Sequence, residues 1–163
     1  GTSDGEKKCE SLFERFRSKG ISAVCAMPDR SWNISEDRER KIKTEKLREM
    51  VETSNRMEIP INIGTEMNSP GQPFFDNLEC PALKPYKESF LRGARIMTGH
   101  TLLAKYADYS YAGAKADSDF RSLKEKNNFF ESIGSLPQLN IETTSHLSGL
   151  KPNEALDWFK SRL

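Results

Sequence analysis

Gly20-Ile-Ser-Ala-Val-Cys-Ala-Met27 and Ile59-Pro-Ile-Asn-Ile-Gly-Thr-Glu66 are the two stretches whose reading decides the fold. The first is an apolar run closed by Gly20 and Pro28, the pattern of a strand buried on both faces. The second alternates isoleucine at 59, 61 and 63, with Pro60 tolerable at a strand's start. Ahead of them, Cys9, Leu12, Phe13 and Phe16 fall at i, i+3, i+4 and i+7, which predicts a helix over roughly residues 5–19 that Gly20 stops. Between them, Ser35 opens a second helix. Glu36 and Asp37 occupy its first turn, and Leu47, Met50, Val51 and Ser54 form its inner face as far as about Glu58. The order is α-β-α-β. Parallel strands need a crossover and a helix supplies one, so the expected class is α/β, a parallel β-sheet with packed helices.

Working outward, Met67-Asn-Ser-Pro-Gly-Gln-Pro73 is a turn-rich loop, and Leu83, Tyr86, Phe90 and Leu91 carry a helical stripe to Gly93. Ala94-Arg-Ile-Met-Thr-Gly99 reads as a third short strand beside the other two, leading to His100 and a helical stretch from Thr101 to about Ala107. Phe120, Leu123, Asn127, Phe130 and Ile133 mark another helix stopped by Gly134, and Pro152 opens a last one carrying Ala155, Leu156 and Phe159. The length, 163 residues, fits a single α/β domain over 1–163. A lone sheet of this kind exposes two edges, from which a homodimer is expected.

Composition narrows the partners. Twenty-five basic residues against 24 acidic leave a formal charge of +1, which disfavours a nucleic-acid clamp. Cys9, Cys25 and Cys80 form no CxxC pair and are odd in number, so neither a disulfide framework nor a zinc ribbon is written, and a reducing, cytoplasmic setting is expected. No apolar run approaches the roughly 18 residues of a membrane span, and no membrane partner is expected.

In parallel α/β folds ligands collect at the carboxyl ends of the strands. The residues there are Asp29, Arg30, Glu66, Asn68 and His100. Asp29, Glu66 and His100 are the candidate catalytic groups, with Glu66 and His100 as ligands of a divalent metal, because a carboxylate and an imidazole on neighbouring strands can reach one ion. Arg30 and Asn68 are the candidate contacts to a small anionic substrate. His146, in Thr143-Thr-Ser-His-Leu147, has no partner at ligand spacing and is read as a loop residue.

The stretch Gly20-Ile-Ser-Ala-Val-Cys-Ala-Met-Pro-Asp-Arg30, the helix with Lys46-Leu-Arg-Glu-Met50, and Ile61-Asn-Ile-Gly-Thr-Glu-Met67 together resemble part of the polymerase-and-histidinol-phosphatase family, over roughly residues 12–68. The resemblance implies part of a TIM-type barrel, a C-terminal fragment of a longer barrel protein. It also implies a metal-dependent hydrolase of the phosphoesterase or amidohydrolase type, using zinc, manganese or magnesium. Asp29 would match the Asp of the family's Thr-Asp-His strand end, and Glu66 the glutamate that bridges metals. The family's His-x-His strand has no counterpart, and Arg30 stands where it has histidine; a guanidinium offers a metal no lone pair. An incomplete site, and so a poor catalyst, is expected. The alternative is a non-catalytic α/β module that binds a small anion or supports an assembly.

Overall fold

The computed structural model describes residues 8–65, 70 and 74–163. The expected Glu66, Asn68 and most of the turn-rich loop therefore lie outside the described residues. The chain divides into two compact units, Gly1–Leu91 and Arg92–Leu163.

The first unit is built around two strands. Helix α1, Cys9–Ser18, buries Cys9 and Phe13, and Gly20 leaves it at φ +80°, a left-handed turn that glycine adopts without a Cβ clash. β1, Val24–Ala26, follows, then the four-residue α2, Asp29–Trp32, and the long α3, Asp37–Arg56. The cap of α3 is Glu36, one residue later than Ser35: its carboxylate accepts from the N–H groups of Arg38 at 2.9 Å and Glu39 at 2.6 Å, so a single side chain satisfies two of the helix's free donors. Leu47, Val51, Thr53 and Ser54 are the buried face of α3. Its exit is made by Glu58 at φ +54° and locked by Ser54, whose backbone carbonyl accepts from Ile59 N at 3.0 Å while its hydroxyl donates to Ile59 O at 2.5 Å. That turn delivers the chain into β2, Ile61–Ile63. β1 and β2 pair in parallel, Val24 opposite Ile61, Cys25 opposite Asn62 and Ala26 opposite Ile63. Phe13, Val24, Ala26, Leu47, Val51, Ile59, Ile61, Leu83 and Phe90 form the apolar core of this unit.

The barrel is a correction. Among the described residues 63% are helical and 4% lie in strands, and the sheet has two strands, so a TIM-type barrel is not present and the expected parallel sheet shrinks to one β-α-β step. The third strand expected at Ala94–Gly99 is helical: after a 3₁₀ turn at Lys84–Tyr86, α4 runs unbroken over Lys87–Ala107 and crosses the boundary between the units. Its buried positions include Phe90, Gly93, Ile96, Gly99, Leu103 and Tyr106, a helical period that holds only when the two glycines are counted as packing positions instead of stops.

The regular elements of the second unit are all helices among its described residues: the end of α4, α5 (Ala114–Asp119), α6 (Leu123–Gly134), α7 (Ile141–Gly149) and α8 (Pro152–Lys160). α4 and α6 cross backbone to backbone, since a Cβ on Gly99 would overlap the Phe130 carbonyl and one on Gly134 the Arg95 carbonyl. Arg92 and Arg95 of α4 both reach Glu131 of α6, each at 3.1 Å through Nε. Phe130, Ile133, Leu147, Leu156 and Phe159 fill the core. Pro152 opens α8 as expected, and His146, expected in a loop, sits in the last turn of α7.

Candidate functional site

The carboxyl ends of β1 and β2 are where a parallel pair gathers ligands, and there the described residues place Asp29, Trp32, Thr65 and Asp76 together. Pro28, buried, ends the strand exit and lets α2 begin at Asp29. Asp29 accepts from Asn33 Nδ2 at 2.9 Å, which holds one carboxylate oxygen along α2. Thr65 follows β2, and its hydroxyl donates to Asp76 Oδ2 at 3.4 Å, a long bond. Asp76 is 6% exposed, and its Oδ1 is buried without a hydrogen-bond partner. The indole Nε1 of Trp32 is buried and unpartnered too; it lies near enough to the Asp76 carboxyl to favour its charge slightly, yet is not aligned into a hydrogen bond.

Burial raises the pKa of Asp76 above the ordinary carboxylate value, and the negative charge of Asp29 raises it further. The buried Asp76 carboxyl thus faces a second, half-buried carboxylate, and its Oδ1 has no hydrogen-bond partner. The Thr65 hydroxyl, the Trp32 indole and the Asp29 backbone favour the charged form, but less than burial and the Asp29 charge oppose it.

Asp29 stands at the strand end as expected. Arg30 follows it in α2, exposed to solvent. Glu66 and Asn68 fall outside the described residues. His100 does not follow a strand: it lies inside α4 in the second unit, and its Nδ1 accepts the Tyr111 backbone N–H at 3.1 Å, so the lone pair expected for a metal is in use within that unit. Among the described residues no group of three or more His, Cys, Asp and Glu is placed to hold a metal. Asp76 escapes any reading of the sequence confined to the residues directly after each strand. Nothing in the local sequence Phe74-Phe75-Asp76-Asn77 marks it as a site residue.

The three cysteines are free thiols. Cys9 is buried and its thiol is pushed up chiefly by that burial, while Cys25 is exposed on the far side of β1 from the core. An apolar groove of about 350 Å³ runs beside it, lined by Leu12, Phe16, Ile21 and Met50 among others, and takes in none of the carboxylates at the strand ends.

No family model, curated protein or solved structure matches the chain.

Proposed function

We propose that the first unit binds a hard divalent cation through Asp29 and Asp76 and, with it, a small anionic ligand at the carboxyl ends of β1 and β2. The observation that carries this reading is the buried, unpartnered Oδ1 of Asp76 beside a second carboxylate. Oxygen-only donors fit magnesium or manganese, which keep several waters and accept one or two carboxylates, better than a closed zinc site that draws on nitrogen or sulfur. A bound cation of this kind supplies Lewis acidity toward a ligand oxygen and charge to hold an anion. Asp76 contributes the oxygen that lacks a partner, Thr65 holds its other oxygen, and Asn33 orients Asp29. Arg30, one residue on, supplies a cationic group for a phosphate or carboxylate at the same end of the sheet.

This reading belongs with metal-dependent hydrolases of the phosphoesterase or amidohydrolase kind, but two carboxylates hold few coordination positions. The activity that follows is binding, with hydrolysis of phosphomonoesters or amides staying near the rate in buffer. Three free thiols suit a reducing, cytoplasmic setting, and among the described residues no helix is long and apolar enough to cross a membrane.

Titration calorimetry with manganese on the full chain tests the reading. One ion per chain in the wild type, lost in both Asp29→Asn and Asp76→Asn, is expected. A wild-type chain that takes up no manganese, or variants that bind it unchanged, overturns the site.

A further inference from the structure

The second unit contains a buried polar knot that the strand-end site does not use. The connection between α4 and α5, residues 108–113, is drawn inward by Tyr111, which is 5% exposed. Its hydroxyl donates to Asn127 Oδ1 at 2.5 Å, and its ring meets Phe130 edge-on at 5.1 Å. Its carbonyl accepts from the buried Lys126 ammonium at 3.2 Å; that ammonium also pairs with Asp117 at 2.6 Å and stands 4.4 Å from the Tyr111 ring centroid. Its backbone N–H donates to Nδ1 of His100. Asp108 enters the connection at φ +48°, a left-handed conformation that aspartate adopts more readily than most non-glycine residues.

We infer that His100 makes this fastening pH-sensitive, neutral imidazole accepting the Tyr111 N–H and the charged form withdrawing that one bond from the knot. Nδ1 accepts only through its lone pair; protonated, the ring presents an N–H at both nitrogens, and the part-buried Tyr111 N–H then faces a donor. A buried backbone N–H without an acceptor is costly. Imidazole is the side chain whose ordinary titration falls between pH 5 and 8.

The charged groups on the elements around this connection include Asp108 within it, exposed, and Lys126, Asp117 and Asp119 beside it. Across Tyr111 stands Lys126 of α6, a like charge already engaged with Asp117 of α5. The other carboxylate of α5 beside this connection, Asp119, accepts from the Tyr109 hydroxyl at 2.9 Å. One turn away along α4 itself are Ile96, Met97, Leu103 and Ala104, none of them titratable. The His100–Tyr111 bond is therefore present while the imidazole is neutral and absent when it is protonated.

The full chain carrying Trp32→Phe leaves Trp158, a residue of the second unit, as the fluorescent reporter. Its denaturant midpoint is compared at pH 7.5 and 5.5. A drop on acidification is expected, reduced at least threefold by His100→Gln, whose amide oxygen accepts without titrating, and retained in His146→Gln. A drop of the same size in His100→Gln, or one removed by His146→Gln, overturns the inference. Should His100→Gln fail to fold, the wild-type Tyr111 amide resonance decides: a shift that follows the His100 imidazole through its titration supports the fastening, and an amide unmoved across that range overturns it.

Discussion

Burial and the adjacent Asp29 hold the Asp76 carboxyl protonated to a higher pH than it would be in the unfolded chain. The folded state then binds more protons than the unfolded one over the interval between the two values, so the stability of the metal-free chain falls as pH rises through that interval. Asp76→Asn removes the dependence and, by deleting a buried charge without a full set of partners, is expected to raise metal-free stability at pH 7 by about 1 kcal/mol. Urea midpoints of the two chains at pH 4.5 and 7 check both statements; a variant less stable than the wild type at pH 7 would show that Asp76 is held by partners sufficient for its charge. Of the site, Asp29 is legible in the sequence because it directly follows an apolar run and Pro28. Asp76 is not, because a loop residue betrays its burial only once the chain has folded back, and nothing in Phe74-Phe75-Asp76 marks which of the three turns inward: both phenylalanines are about four-fifths exposed, at 80% and 78%, and the acid is the buried one.

At the scale of elements, glycine explains most of the difference between the expected and the observed fold. Gly93 and Gly99 look like the ends of helices in sequence, and taking them so leaves Ala94–Thr98 as an isolated apolar run that resembles a strand. In the fold Gly99 is the point where α4 touches the α6 backbone, a role that sequence periodicity does not reveal because the partner, Phe130, lies 31 positions away. Gly99→Ala forces two backbones apart and is expected to cost about 3 kcal/mol, the upper part of the usual range for overpacking. Gly20→Ala meets open space but must hold φ +80°, and costs about 1 kcal/mol. Denaturant unfolding of both variants ranks them; equal losses, or an unaffected Gly99→Ala, would remove the close crossing. The elements legible in the sequence carry their own signals within a few residues: the stripe of α1, the apolar run of β1, the alternation of β2, and the proline that opens α8. α5, only six residues long, has no room for a periodic pattern.

At the scale of the whole molecule, the two compact units divide the chemistry. The carboxylates at the strand ends belong to Gly1–Leu91, and the His100–Tyr111 fastening to Arg92–Leu163. Each unit holds one tryptophan, Trp32 beside the carboxylates and Trp158 in the helical core, so the two can be watched separately. Manganese at a hundredfold excess over its dissociation constant stabilises whatever binds it by about 2.7 kcal/mol. That gain is expected in the unfolding followed at Trp32, read in Trp158→Phe, and not in the unfolding followed at Trp158, read in Trp32→Phe once calorimetry has shown that this variant still takes up one manganese. Equal gains at both would mean that the ion binds elsewhere or that the units unfold as one.

The most direct measurement is the anomalous scattering of manganese in crystals of the full chain grown with the ion. A peak between the carboxylates of Asp29 and Asp76, absent from crystals of Asp76→Asn, is the predicted result. No peak at the carboxyl ends of β1 and β2, or one held by other side chains with Asp76 Oδ1 still unpartnered, would contradict a cation site there.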